Sequence, residues 1–157
     1  MDAYKVQFLQ QATIAASEAE HSWPDYAACE AALESGFGVS KLYILGNNPF
    51  GMKQHQHPVY GTLSLPTREW SPKLDKFVEI EADWVKYPDL QSAFVDRMNT
   101  LRRLASEYIH YKNALMASSG PAFITEVSLT WSTDVPSDKS IGRAQKVLNI
   151  HKEWKGE

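Results

Sequence analysis

Glu34 closes an alanine-rich run, "AALESGFG", and Gly36 and Gly38 follow almost at once. A carboxylate in the last turn of a helix opposes the negative end of the backbone dipole, and Glu30 lies one turn back on the same face. Together with any burial, these effects would favour the protonated form, which is what a general acid needs. The two glycines would let the chain turn sharply and a bulky substrate approach. The plainer alternative is a surface glutamate ahead of a glycine C-cap, paired with Lys41.

A second cluster, "GNNPFGMK" (46–53), combines amides and an aromatic ring. Asn47 and Asn48 suit either backbone capping or sugar hydroxyl and acetamido groups, and Phe50 offers a ring face; taken alone, the stretch reads as a tight turn. His55 and His57 have the i,i+2 spacing of a shared metal but no evident third ligand, so a solvated loop is the better reading and no metal is expected. Cys29, in an Ala-rich segment with no base partner, reads as a small buried hydrophobe. Trp70, Trp84 and Trp131 are candidate sugar platforms; Trp70, next to Glu69, is the better cleft candidate, and Trp84, on an apolar strand face, reads as core.

These residues need elements to hold them. Apolar residues at helical spacing predict a helix over 4–20, then one beginning at Ser22 as N-cap, with Pro24 in its first turn, and ending at Gly36. A short helix, "VSKLYIL", follows. "FVEIEADWVKY" alternates, with Val78, Ile80, Ala82 and Trp84 on one face and Glu79, Glu81 and Asp83 on the other, as in a half-exposed antiparallel strand. "SPKLD" (71–75) would turn it back on "YGTLSLPTREW", making a β-lobe over roughly 58–87. The helical period returns after Pro88 as one stripe running to Tyr108, broken at "SSGP" (118–121); "AFITEVSLTW" forms another helix, "STDVPSD" a loop, and 138–154 a closing helix. The expected fold class is α+β: one domain over 1–157, a mostly helical body with a small β-hairpin lobe.

Bulk properties narrow the function. With 157 residues the chain can bury a core unaided, and a single cysteine rules out an internal disulfide. A net charge of −3 leaves no basic surplus for phosphates, which argues against nucleic acid as a partner. The start, "MDAYKVQFLQQ", lacks the pattern of a signal peptide, and no run is apolar enough for a membrane segment.

Taken together, "ALESGFGVSKLYILGNNPFGMK" (32–53) resembles the signature of glycoside hydrolase family 73, the bacterial peptidoglycan N-acetylglucosaminidases. Glu34, Ser35, Gly36, Phe37 and Gly38 match its E-S-G-[WF]-G element; Ser40 follows, and Asn47, Asn48, Phe50, Gly51 and Lys53 match N-N-x-F-G-x-K. "WVKYPDLQSAFVD" and "STDVPSDKSIGRAQKVLNI" resemble two later family segments. The resemblance implies a lysozyme-like fold with a substrate cleft between body and lobe. It makes Glu34 the catalytic acid and "TREW" the best match for the hairpin carboxylate, Glu69, which would assist water or stabilise the transition state. Asn47, Asn48, Phe50, Lys53, Trp70 and Tyr87 become candidates for substrate binding. The sequence departs from the pattern at Arg143, where a tyrosine is common, at Pro49 and at Glu30, where many members have glutamine.

The function implied is hydrolysis of the β-1,4 bond after N-acetylglucosamine in peptidoglycan, without cofactor, by a monomer acting at the cell wall or periplasm. A muramidase or lytic transglycosylase on the same fold is the near alternative. A non-catalytic glycan-binding or wall-assembly domain is the distant one.

Overall fold

A computed structural model describes residues 1–131 and 141–157. Its elements are α1 (Ala3–Glu18), α2 (Pro24–Ser35), α3 (Lys41–Gly46), β1 (Gly61–Ser71), β2 (Lys76–Lys86), α4 (Leu90–Leu104), α5 (Ile109–Leu115), α6 (Gly120–Trp131) and α7 (Arg143–Lys155).

α2 is the axis of the helical body. Ala27, Ala28, Cys29, Glu30, Ala31, Ala32 and Ser35 are all buried, so the helix is covered on nearly every side rather than along one stripe. Alanines make this possible, because small side chains let α1, α6 and α7 pack close to it. Leu9, Ala12 and Ala16 of α1 face it, and Phe123, Ile124 and Val127 of α6 and Val147 of α7 complete the core. Cys29 belongs to this interior, and burial pushes its thiol up to about 12, so it is not a nucleophile.

β1 and β2 form an antiparallel hairpin paired from Gly61↔Lys86 to Ser71↔Lys76. Residues 52–54 run along the free edge of β2, where the Val85 N–H donates to the Met52 carbonyl at 3.0 Å and the Gln54 N–H to that of Asp83 at 2.8 Å. This stitch ties the lobe to the body.

Three boundaries differ from the expectation. Trp23, not Ser22, caps α2, and the Trp23 N–H donates to His21 Nδ1 instead. The stripe after Pro88 is two helices: α4 ends at Leu104, and α5 begins at Ile109 to bury Tyr111 and Ala114 in its own direction. The last helix begins at Arg143, since Ile141 and Gly142 are not helical. The expected loop "STDVPSD" lies outside the described residues.

Candidate active site

Glu34 projects from the last turn of α2. Gly36, with φ +60°, takes the left-handed conformation that ends the helix, and its N–H returns to the Ala32 carbonyl. Ser35 fixes the turn that follows: its Oγ donates to the Ala31 carbonyl at 2.7 Å and accepts from the Gly38 N–H at 3.0 Å. The E-S-G stretch is thus a rigid corner. Gly38 does not leave room for substrate as expected. A Cβ there would come within 2.9 Å of the Phe8 ring and 3.0 Å of Tyr43, so the glycine serves packing.

The electrostatic reasoning from the sequence is overturned as well. Glu30 is no bare like charge beside Glu34: Arg97 grips it with two bonds of 2.6 Å, and Arg143 Nη2 stands 2.7 Å from its Oε2. Burial opposes ionisation of Glu30, but the two guanidinium groups outweigh it and bring the carboxyl down to about 2. Glu34 pairs with Arg143 rather than Lys41, through a bond of 2.7 Å from Arg143 Nε to Glu34 Oε1. A third nitrogen of Arg143, Nη1, donates to Ser128 Oγ at 2.9 Å. Burial works against the charge on Arg143, yet Glu30 and then Glu34 raise it above the ordinary arginine range.

The result is a chain of alternating charge, Arg97–Glu30–Arg143–Glu34, in which only Glu34 reaches solvent appreciably; its side chain is 28% exposed against 3% for Arg143. Glu34 stands at the C-terminus of α2 and Arg143 at the N-terminus of α7, each opposing its own helix dipole and each answered by the other.

Arg97 carries the chain to a groove. Its guanidinium lies 4.3 Å from the Trp131 ring centre and 4.7 Å from that of Phe50. Phe50 and Trp131, with Gly51, Met52, Lys53, Trp84 and Tyr111, line a groove of about 380 Å³ between body and hairpin. On the hairpin side Lys53 Nζ bonds Glu69 Oε1 at 2.5 Å and lies 5.9 Å from the Trp84 ring centre. Side chains alternate along a strand, so Glu69 shares a face with Leu63, Leu65 and their β2 partners Trp84 and Ala82.

Trp70 therefore points the other way. It is 49% exposed and packs edge-on against Phe77 on the outer face, so Trp84 and Trp131, not Trp70, are the tryptophans of the groove. The amides serve the scaffold: Asn47 Nδ2 donates to the Tyr87 carbonyl, and both Asn48 Nδ2 hydrogens go to the Met52 and Val85 carbonyls. Phe50 is 4% exposed and packs against Phe94. Tyr87 is buried, and its hydroxyl donates to Asp96. Of the expected binding residues, Lys53 alone offers the groove a polar group. His55 Nε2 is 2.8 Å from Asp96 Oδ2, and the described residues hold no group of three metal-ligating side chains.

Arg97 and Tyr111 escaped the sequence reading. The signal for Arg97 was available: it interrupts the apolar stripe of α4 between Phe94 and Leu101, as Glu30 interrupts the alanines of α2, and two such opposite charges predict a buried pair.

An α-helical body and a two-stranded antiparallel lobe flank the aromatic groove between them. The family model for glucosaminidase, described as mannosyl-glycoprotein endo-β-N-acetylglucosaminidase, matches residues 10–140, and the chain belongs to that family. No curated protein sequence matches it. Among solved structures, the catalytic domain of the autolysin Auto from Listeria monocytogenes superposes with a TM-score of 0.79 at 20% identity, over 99% of this chain and 86% of that one. The truncated glycoside hydrolase domain of FlgJ from Salmonella typhimurium gives 0.69 at 19% identity, over 98% and 99%. A peptidoglycan hydrolase from Sphingomonas sp. A1 gives 0.65 at 19%, over 96% and 91%.

Proposed function

We propose that this glycoside hydrolase cleaves the β-1,4 bond after N-acetylglucosamine in peptidoglycan, with Glu34 as general acid and Glu69 assisting water or stabilising the transition state. The observation that carries the reading is the disposition of Glu34. Its Oε1 is held by Arg143, while among the described residues Oε2 has no partner, on the one exposed carboxylate of the buried chain. A proton on Oε2 would be free to pass to the departing glycosidic oxygen while Oε1 keeps its bond. Trp84 and Trp131 offer flat faces for sugar rings. Structural relatives named as an autolysin and a peptidoglycan hydrolase support the choice of substrate and an action at the cell wall.

Losing a general acid costs roughly 10²–10⁴-fold in rate. Glu34→Gln should therefore release almost no fragments from purified peptidoglycan, with an unchanged circular dichroism spectrum. Mass spectrometry of the wild-type digest should show new reducing N-acetylglucosamine ends. Reducing N-acetylmuramic acid ends would make the protein a muramidase, anhydro ends a transglycosylase, and binding without cleavage a glycan-binding domain. Full activity in Glu34→Gln removes that residue from the chemistry.

A further inference from the structure

We infer that Arg143 is the positioning residue of Glu34. The inference rests on Glu34 being the acid. Arg143 is distinguished by division of labour: three separate nitrogens meet three partners, Nε on Glu34, Nη1 on Ser128 and Nη2 on Glu30. A side chain anchored at two points and 3% exposed has little freedom, so the Nε–H fixes the Glu34 carboxyl in one rotation. That rotation leaves Oε2 as the oxygen available to a substrate.

The charge matters as much as the direction. When the proton leaves Oε2 for the glycosidic oxygen, the C–O bond to the leaving sugar breaks and Glu34 is left as a carboxylate. Arg143 already stands 2.7 Å from the oxygen over which that negative charge spreads. A preorganised cation aimed at that charge stabilises the carboxylate as it forms and makes Glu34 a stronger acid. Glu30 supplies the counterweight. Already gripped by Arg97 through both oxygens, it does not depend on Arg143 for its hydrogen bonds, and its negative charge keeps the Arg143 cation in place.

The test compares wild type, Arg143→Ala, Arg143→Lys and Glu34→Gln on a soluble oligomer of alternating N-acetylglucosamine and N-acetylmuramic acid, with kcat and KM measured separately. Arg143→Ala should lose about 10²-fold in kcat with KM unchanged. Added guanidinium at about 10 mM, far below denaturing levels, should restore part of that loss by refilling the vacated site. The same addition should do nothing for Glu34→Gln. Arg143→Lys guards against a folding failure: it keeps a cation beside Glu30, but one nitrogen cannot span three partners, so its kcat should also fall with KM intact. Wild-type kcat in either folded Arg143 variant overturns the inference, as does a loss in folded Arg143→Ala that guanidinium leaves untouched. An active Glu34→Gln would instead strike at the underlying assignment of the acid.

Discussion

Glu69, on the hairpin, keeps one oxygen on Lys53 of the groove, and its side chain is 41% exposed, so water can reach it. If it assists the attacking water, Glu69→Gln should lower kcat by roughly 10²-fold, measured on the same soluble oligomer, with the hairpin intact. Undiminished turnover would mean that one carboxylate suffices. Both carboxylates could be proposed from the sequence because each sits in a short motif. The tryptophans were not: alternation puts Trp70 and Trp84 on opposite faces, but only the register Leu63↔Trp84, with Leu63 against Gly46, tells which face meets the body. The asparagines misled for a different reason. An amide suited to an acetamido group is equally suited to a backbone carbonyl, and Asn48, 1% exposed, is surrounded by backbone.

At the scale of elements, the corner between α2 and α3 sets the angle at which Glu34 leaves the body. Gly38 holds a φ of +82°, and the space a side chain would need is filled by Phe8 of α1 and Tyr43 of α3. Gly38→Ala should cost about 1–3 kcal/mol by urea unfolding, through overpacking and backbone strain together. Because the corner carries Glu34, kcat should fall in the protein that remains folded; an unchanged midpoint would show that the corner yields freely. The helices, the hairpin and its turn were readable from period and turn residues. The break between α4 and α5 was not, since no glycine or proline marks residues 105–108 and the apolar stripe continues through them. There the need of α5 to pack on α6 prevails over a local pattern that would continue the helix.

The whole molecule balances its buried charge with care, and one buried group leaves it sensitive to acid. His21 is 7% exposed, accepts a bond from the Trp23 N–H and, among the described residues, has no partner for Nε2. Burial, then the nearby Arg97 charge, lowers it from 6.5 to about 4. Between those values the unfolded chain takes up a proton that the folded protein refuses, so stability is full above 6.5 and falls as pH drops towards 4. The loss across that window is roughly 3 kcal/mol. Glu30 adds a second decline below its ordinary value, because the folded carboxylate resists protonation down to about 2. Urea unfolding at pH 7, 5.5 and 4 should trace the first decline, and His21→Phe should flatten it. A wild-type curve level across that range would exclude His21 as its source.

The bond from Arg143 to Glu34 joins positions 109 residues apart. At the pace of translation, on the order of 5–20 residues per second, roughly 5–20 s separate the synthesis of the two partners. α1 and α2, neighbours in sequence, can find each other early, whereas the carboxyl at the end of α2 waits for α7 to emerge and dock. If Glu34 is the acid, a nascent chain stays unarmed until α7 has left the ribosome and docked.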